Sequence, residues 1–303
     1  MARGDNSSQP YSFNFLPAPP ALADLCNSFY FFDTPLTRLA DVLPAYSGQL
    51  MLILKGKCSI ITPSGDVQGN DDCTLLAPLL QAHEFILDGP VRVFGVSLNF
   101  RGWATLTGLP VDQYNNGQVE LETAFGEEVA AKIRDLARRV RDGEMDEQAL
   151  PEAVTEVLAV CQKPLRRGHR MLIDETLEWL SSSFRPELDD LYARLPMSRR
   201  QAQRNVARFF GVPPVHLARR YRAVRAATIL SLPEIPPALE AEIREAFYDQ
   251  PHMIKEIRYF TGRTPHRLRT AEGGPVPDTL HADGYSAVDP FGGSEASQLG
   301  KQP

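Results

Sequence analysis

The sequence predicts an α+β protein in which a β-rich N-terminal domain is followed by an all-helical domain. Between residues 28 and 100, short runs of β-branched and aromatic residues alternate with Gly, Pro and Asp, the pattern of strands and turns. After residue 100, apolar residues recur instead at three- and four-residue steps, the pattern of amphipathic helices. A chain of 303 residues is long enough for two domains that each bury a core.

Several short strands at this spacing favour a small sandwich or barrel. Leu50–Leu54 and Cys58–Thr62 flank Lys55-Gly56-Lys57, which predicts a hairpin with glycine in its turn. The first 28 residues are rich in Pro, Ser and Asn, and we expect them to be loosely ordered. The predicted strand runs are SFYFF (28–32), GQLMLILKGKCSIITPSG (48–65), DCTLLAP (72–78), HEFILDGP (83–90) and VRVFGVSLNF (91–100).

Two amphipathic helices are predicted directly after the strands. The segment 126–143 places four apolar residues, from Val129 to Val140, on one face, and the segment 146–163 carries a similar stripe. Each stripe would be buried either by covering the barrel or by contacting a second copy of the chain. The sequence favours neither alternative.

Charge is distributed very unevenly along the chain, although the net charge is −6. Residues 1–162 sum to −10, residues 163–270 to +8 and residues 271–303 to −4. Nine arginines and no carboxylate lie between Asp190 and Glu234. Exposed helical faces normally mix both signs. An arginine-only interval therefore favours a polyanionic partner, since each neutralised phosphate releases condensed counterions.

The segment MSRRQAQRNVARFFGVPP (197–214) predicts a helix with a packing side and a reading side. With Ser198 as the N-cap, Ala202, Val206 and Phe209 fall on one face and require burial. Arginine can donate two hydrogen bonds to guanine, and glutamine can pair with adenine, in the major groove. An ordinary solvent-exposed face is the alternative. The candidate DNA-contacting residues of this segment are Arg199, Arg200, Gln203, Arg204 and Arg208.

The same segment belongs to a helix–turn–helix pattern that occurs twice. ELDDLYARLPMSRRQAQRNVARFFGVPP (187–214) has Leu195–Met197 as its turn. In the second pattern (236–269), a helix ending near Ala246 is followed by a turn at Phe247–Asp249 and a second helix that starts at Gln250 or Pro251. That helix ends at Phe260 and presents His252, Lys255 and Tyr259 outward.

Residues 165–270 resemble the DNA-binding domain of AraC-type transcription regulators. SRRQAQRNVARFFGVPP and FYDQPHMIKEIRYFTGRTPHRLR carry the resemblance, and the second is close to the family signature over some twenty positions. The resemblance implies two helix–turn–helix units joined by a long helix, here 214–231. Their recognition helices would enter successive major-groove segments on one face of the duplex, about one helical turn apart. The implied reading residues are Arg200, Gln203 and Arg204 in the first unit, with Pro251, His252 and Lys255 at the corresponding places of the second.

The second unit departs from the family pattern at four positions. Ala246 stands where a glycine is usual and Glu242 where a small residue is usual. Pro251 has no side-chain donor, and Glu256 is expected to point partly toward the DNA, where a carboxylate repels phosphate. We therefore predict that the first unit makes most base contacts and that the second mainly positions the protein.

Residues from about 29 to 160 resemble, less specifically, the cupin-like sensor domains attached to such regulators. VRVFGVSLNFRGWATLTGLPVDQYNNGQVEL (91–121) carries this resemblance. It implies a β-barrel that binds a small effector or mediates dimerisation. Candidates for the effector pocket are Phe29, Phe31, Phe94 and Trp103, with ordinary core packing as the alternative.

No catalytic residue, metal or cofactor is predicted. A cupin-type metal site needs three histidines and a glutamate close together, and only His83 and Glu84 fall in the strand region. We interpret His83 as a surface or strand-end histidine. The chain also lacks a P-loop, a dinucleotide glycine motif and a nucleophile elbow. A cupin-like barrel enzyme therefore ranks third, behind a non-enzymatic interaction protein with a degenerate DNA reader.

The leading hypothesis is a cytoplasmic transcription regulator. Its expected partners are double-stranded DNA, a small-molecule effector, a second copy of the chain and RNA polymerase. A membrane partner is not expected, because no run of about 18 apolar residues occurs. Four widely spaced cysteines predict reduced thiols, with a redox sensor as the alternative. The predicted units are a loosely ordered segment (1–28), a sensor or dimerisation domain (29–162), a DNA-binding domain (163–270) and a disordered tail (271–303).

Overall fold

The computed structural model describes residues 11–70, 72–232 and 234–269. Within them, an antiparallel eight-stranded sheet is followed by a group of helices, which confirms the predicted α+β class. The strands are β1 Ser12–Pro17, β2 Cys26–Thr34, β3 Arg38–Leu43, β4 Gln49–Ile61, β5 Val67–Asn70, β6 Cys73–Leu76, β7 His83–Leu98 and β8 Gln118–Val119.

Helices begin as the last long strand ends. Two of them flank the sheet, and four form two helix–turn–helix units with a long connecting helix between the units. The helices are α1 Phe100–Gly102, α2 Leu121–Phe125, α3 Glu127–Arg141, α4 Leu150–Ala159, α5 Arg167–Ser181, α6 Leu188–Arg194, α7 Arg199–Phe210, α8 Pro214–Leu230, α9 Pro237–Ala246, α10 Gln250–Thr261 and α11 Pro265–Arg269.

The sheet curls because its two longest strands have different neighbours along their two halves. Strand β7 pairs with β3 over its first half and with β2 over its second. Strand β4 pairs with β6 near its start, with β5 near its end, and with β7 along most of its length. The curled sheet encloses an apolar interior, consistent with a small barrel.

Two of the predicted strand boundaries are wrong. The hairpin expected around Gly56 is one continuous strand, β4, whose pairing with β7 shifts register between Ile53 and Lys57. Gly56 has a φ of 78°, a conformation that glycine adopts easily, and here it produces a bulge instead of a reversal. The runs 83–90 and 91–100 likewise form a single strand, β7, through Leu98.

The expectation of loose order is wrong for residues 11–28. Strand β1 pairs with β2 along its whole length, and Phe13 lies opposite Phe32 with ring centroids 4.9 Å apart. Alternating aromatic residues at positions 13 and 15 therefore outweigh the surrounding polar composition. Residues 1–10 and the predicted tail 271–303 lie outside the described residues.

Helices α3 and α4 cover the sheet. Ile133 and Leu136 of α3, and Val154 and Leu158 of α4, are buried in one cluster with residues of β4 and β7. The outer side of α3 is instead charged, with Arg138 bonded to three carboxylates. Packing against the sheet thus buries both apolar stripes, so their apolar character does not require a contact with a second copy of the chain.

Burial determines the chemistry of the cysteines. All four are free; Cys26, Cys58 and Cys73 are buried, and Cys161 is partly buried. Burial raises the pKa of the Cys26 and Cys58 thiols to about 12. Since the thiolate is the reactive form, this environment disfavours redox sensing at these two positions.

Candidate nucleic-acid interface

Helix α7, the second helix of the first helix–turn–helix unit, starts at a capping box. Ser198 Oγ accepts a hydrogen bond from the backbone N–H of Gln201, and the Gln201 side chain accepts one from the backbone N–H of Ser198. These bonds satisfy two donors at the start of the helix, as the S-x-x-Q spacing predicts. The helix ends at Gly211, whose φ of 86° forms a left-handed C-cap.

Helix α7 is held by its apolar face. Ala202, Val206 and Phe209 are buried, together with Phe210, in a cluster built on Trp179 of α5. The Trp179 indole N–H donates to the Glu187 carbonyl at 2.7 Å and so ties α5 to the start of α6. This confirms the packing side predicted from the i, i+4, i+7 spacing.

The opposite side of α7 is exposed and positively charged. Arg200, Gln203 and Arg204 all face solvent. Within residues 11–70, 72–232 and 234–269, neither Arg200 nor Arg204 has an ion-pair or side-chain hydrogen-bond partner in the structure. Their guanidinium donors are therefore available to an external acceptor.

Two members of the exposed face contact the preceding helix. Gln203 Nε2 donates to the Tyr192 hydroxyl at 3.1 Å. Arg199 pairs with Asp189 at 2.8 Å, and its guanidinium lies 5.3 Å from the Tyr192 ring centroid. Tyr192 of α6 thus orients both side chains, a role that the spacing within α7 could not indicate.

Arg208 lies away from the centre of this face. Its side chain lines a crevice with Lys163 and His169, where the helical region meets the N-terminal domain. Its carbonyl accepts a hydrogen bond from the Val111 backbone N–H at 2.7 Å. The structure therefore brings Arg200, Gln203 and Arg204 together, and Arg208, one turn after Arg204, lies at the edge of this face beside the crevice.

The second recognition helix, α10, is capped by Asp249, which accepts a hydrogen bond from the His252 backbone N–H at 2.7 Å. Lys255 is exposed and His252 is half-exposed. Tyr248, in the turn before α10, is 92% exposed. Since large aromatic side chains are seldom so exposed, Tyr248 joins Lys255 and His252 as a candidate contact that the sequence interpretation missed.

The expected orientation of Glu256 is wrong. Its carboxylate is 2% exposed and accepts hydrogen bonds from Arg219 at 2.6 Å and Arg222 at 2.7 Å, both on α8. Glu256 therefore fixes α10 to the connecting helix and does not oppose a phosphate. His252 Nε2 lies 3.5 Å from the same carboxylate.

The other departures from the family pattern are readily accommodated. Ala246 is buried without a positive φ, so a small residue suffices there and glycine is not required. Glu242 is exposed, and Pro251 lies in the first turn of α10, where a missing backbone N–H is tolerated.

Both recognition helices are anchored at their C-terminal ends by the N-terminal domain. The carbonyls of Phe260 and Tyr259 accept hydrogen bonds from the backbone N–H groups of Ala45 and Ala82, at 2.8 and 3.0 Å. Near the end of α7, the Arg208 carbonyl likewise accepts a hydrogen bond from the Val111 backbone N–H. Because these bonds come from one domain, the sheet domain constrains how the two helices lie relative to each other.

An ion pair between Arg263 and Asp41 reinforces the anchor of the second unit. Arg263 Nη2 donates to Asp41 Oδ1, and the two side chains are 6% and 9% exposed. Arg220 of α8 adds a buried hydrogen bond of 2.7 Å to the carbonyl of Ala45. Buried charges depend strongly on such partners, so the junction is specific.

The sheet encloses an apolar cavity of about 120 Å³. Tyr30, Phe32, Met51 and Phe85 line it, together with a few polar groups such as Gln49. The Gln49 Oε1 atom is buried without a hydrogen-bond partner among the residues described here. The lining is predominantly apolar, so the cavity can hold a compact apolar molecule.

The residues predicted for an effector pocket do not line this cavity. Phe29, Phe94 and Trp103 are fully buried in a separate cluster, and Phe31 packs against it. Neighbouring residues of β2 point to opposite sides of the sheet. The prediction selected the side opposite to that of Tyr30 and Phe32.

His83 is at a strand end, as predicted, but it is buried. It begins β7, is 3% exposed, and its Nδ1 lies 2.9 Å from the Gln81 carbonyl. Burial holds the pKa of the imidazole below its ordinary value. In the described part of the chain, no three His, Cys, Asp or Glu side chains converge as a metal site, and no helix is long and apolar enough to cross a bilayer.

Comparisons with solved structures give distant likenesses. ToxT from Vibrio cholerae is 8% identical, with 88% of this chain and 100% of that chain covered and a TM-score of 0.42. ToxT with a bound unsaturated fatty acid is 10% identical, with 78% of this chain and 96% of that chain covered and a TM-score of 0.35. The AraC-like transcriptional activator CuxR is 12% identical, with 72% of this chain and 86% of that chain covered and a TM-score of 0.31. At these scores the likeness assigns neither function nor ligand to this chain.

No family model matches the chain, and no curated protein matches it.

Proposed function

We propose that this chain is a sequence-specific DNA-binding transcription regulator. One observation carries the proposal: two capped helices, each second in a helix–turn–helix unit, present basic side chains to solvent and are held by one scaffold. An α-helix fits the major groove, where base edges can be distinguished. Arg200, Gln203 and Arg204 are the proposed base contacts of the first unit, with His252 and Lys255 in the second.

Arg199 suits a contact with the phosphate backbone. Arg199 flanks the reading residues and is already oriented by Asp189 and Tyr192, which favours a positioning contact. Because the Glu256 carboxylate is buried and does not face the DNA, the second unit is proposed to read bases as well, in place of the mainly positioning role expected from the sequence. This observation favours the regulator over an interaction protein that has lost its reader.

We expect Arg204→Ala to lower sequence-specific binding by roughly 1–3 kcal/mol, because a base contact would be lost. Binding-site selection from random duplexes supplies the target, and fluorescence anisotropy compares it with a scrambled duplex. Arg185→Ala is the matched control, since Arg185 is an exposed arginine outside both reading helices. An unchanged preference of Arg204→Ala for the selected site would contradict the assignment.

Salt dependence is a second property that follows from the basic surface. The logarithm of the association constant should fall linearly with the logarithm of salt concentration, with a slope of about −0.9 per neutralised phosphate. Arg199→Ala should make the slope shallower by about one while leaving the selected sequence unchanged. A salt-independent affinity would exclude backbone contacts of this kind.

Tyr192→Phe tests how the reading side chains are oriented. Removing the hydroxyl frees the Gln203 amide, so discrimination at the base that Gln203 reads should weaken by up to about 1 kcal/mol. Binding to a scrambled duplex should stay constant, because the phosphate contacts are retained. Comparing affinities for single-base variants of the selected site measures both quantities.

The finer proposal is control by a small effector in the sheet cavity. Benzene binds in a cavity of about 150 Å³, so the cavity here, of about 120 Å³, suits a ring slightly smaller than benzene. Leu43 and Tyr46 line it, while Ala45 between them anchors the end of α10. An occupant would therefore press on the loop that positions the second recognition helix.

Furan is a suitable probe, because its five-membered ring is smaller than benzene and carries no hydrogen-bond donor. Calorimetry should detect furan binding that is lost in Met51→Trp, which fills the cavity. Val67→Trp, at an exposed position, is the control. Furan binding that persists in Met51→Trp would place the site elsewhere.

Dimerisation and contact with RNA polymerase also belong to the proposal. Both follow from the family resemblance, and no described contact in the chain bears on them. Analytical ultracentrifugation with and without the selected duplex tests the first, and transcription from a template bearing that duplex tests the second.

A further inference from the structure

The crevice beside Arg208 has an unusual charge distribution. Its volume is about 160 Å³, and its walls come from the loop after α1, the segment leading into α5, and the end of α7. We name it the junction crevice; its charged and aromatic lining consists of Lys163, His169, Arg208 and Phe209. Three basic groups thus converge from two separate chain segments.

The positive groups have no counter-charge. Within the described ranges, no carboxylate lines the crevice or forms an ion pair with Lys163, Arg166 or Arg208. Burial first, and then the positive charges of Arg166 and Arg208, hold the pKa of His169 below its ordinary value. Like charges gathered this closely repel each other, and an anion among them would remove the repulsion.

Hydrogen bonds fix the walls of the crevice. Lys163 Nζ donates to the Thr107 carbonyl at 2.8 Å and to the Ala124 carbonyl at 3.4 Å, which leaves the third ammonium donor for a ligand. The Val111 backbone N–H bonds to the Arg208 carbonyl at 2.7 Å, and the Trp103 indole N–H bonds to the Leu109 carbonyl at 2.9 Å. The site is therefore preformed.

Part of the lining is apolar. Leu109, Leu165 and Phe209 contribute side chains, and the His169 and Phe209 rings lie 5.0 Å apart. A cavity of about 150 Å³ holds a benzene ring, so the crevice, at about 160 Å³, has room for one compact ring.

We propose that the junction crevice binds a small organic anion, a carboxylate or phosphate on a compact apolar group. Lys163 and Arg208 pair with the head group, and Phe209, Leu109 and Leu165 contact the apolar part. The occupant joins the N-terminal domain, the start of α5 and the end of the first recognition helix. This inference is independent of the sheet cavity and of the base contacts.

Isothermal titration calorimetry of the full chain tests the proposal with benzoate and phenyl phosphate as probes. We expect saturable one-site binding that weakens about tenfold or more in Arg208→Gln and in Lys163→Gln, since each removes a charge-assisted hydrogen bond. Arg185→Gln should bind as the unmodified protein does. Circular dichroism confirms that the variants are folded; Arg208 is exposed, so its replacement leaves the core intact.

Further probes define what the site takes. Benzyl alcohol, the neutral analogue, should bind far more weakly than benzoate. Inorganic phosphate that binds as tightly as phenyl phosphate would support the anion site with free phosphate as its occupant. Absence of saturable heat with both aromatic anions, or binding by both charge variants that equals binding by the unmodified protein, would overturn the proposal.

A competition measurement separates this site from the proposed DNA surface. Benzoate binding should be unchanged when the selected duplex is present at saturation, because neither Arg200 nor Arg204 lines the crevice. Loss of benzoate binding would overturn the proposal and assign Arg208 to a DNA phosphate. If the chain binds no DNA at all, the benzoate titration still stands alone, so the two proposals fail separately.

Discussion

Asp41→Ala should destabilise the contact between the two halves of the protein by about 3–5 kcal/mol, because it leaves the Arg263 guanidinium buried without its carboxylate. Both side chains are less than 10% exposed, so water cannot readily replace the lost partner. The effect should therefore far exceed that of a surface pair.

The two tryptophans allow this effect to be assigned to a domain. Trp103 lies in the N-terminal domain and Trp179 in the helical domain, and the chain has no others. Two variants that each keep one of the tryptophans report the urea unfolding of one domain each. With Asp41 present, the two unfolding transitions should coincide. With Asp41→Ala added to both variants, the transitions should separate, because the anchor of the second unit is weakened.

Asp88→Ala is the matched control. Asp88 pairs with Arg38 at 3.0 Å, but both side chains are about half exposed, so less than about 1 kcal/mol should be lost. A double-mutant cycle of Asp41→Ala with Arg263→Ala should give a coupling energy above about 1 kcal/mol. Strictly additive changes in the free energy of unfolding would show that Asp41 and Arg263 do not stabilise the protein through their interaction.

Glu256→Ala should lower the free energy of unfolding by about 3 kcal/mol and reduce binding to the selected duplex. The substitution removes a carboxylate that two arginines of α8 share, and Arg222 is only 14% exposed. Arg219 is 43% exposed and can regain water, which places the loss toward the lower end of the range for buried pairs. Helix α10 would then lose its fixed angle to α8.

Glu240→Ala provides the comparison within the same unit. Glu240 lies on α9 and is 3.7 Å from Arg244 in an exposed i, i+4 pair, so its loss should cost no more than about 0.5 kcal/mol. Urea unfolding followed by circular dichroism measures both variants. Equal stability of Glu256→Ala and Glu240→Ala would show that the buried carboxylate is not needed.

The helical half could be predicted closely from the sequence because its signals are local. Ser198 and Gln201 mark the start of α7 at the correct residues, and the stripe from Ala202 to Phe209 identifies its buried face. Glycines at 211 and 262 end both recognition helices in the left-handed conformation, so the local signals agree with the final fold.

The errors arise where a residue's surroundings are distant in sequence. Gly56 looks like a hairpin turn until β7 is known to pair with both halves of β4. Glu256 looks solvent-facing until α8 is placed beside it, because its partners lie 34 and 37 residues away. The cavity-lining side of β2 depends on which side of the sheet faces inward, and the alternation alone does not specify it.

The junction between the halves was also inaccessible to sequence patterns. Asp41 and Arg263 are separated by 222 residues, and neither lies in a motif that suggests a partner. Backbone hydrogen bonds from Ala45 and Ala82 to α10 have no side-chain signature at all. These contacts determine where the second recognition helix lies, and only the assembled fold reveals them.

Methylation interference on the selected duplex tests the central claim most directly, because methylation at guanine N7 blocks contacts in the major groove. If both recognition helices read bases, interfering guanines should form two clusters on one face of the duplex, about one helical turn apart. Arg204→Ala should remove interference within one cluster only. Interference confined to one cluster in the unmodified protein, or none at all, would contradict a two-helix reader.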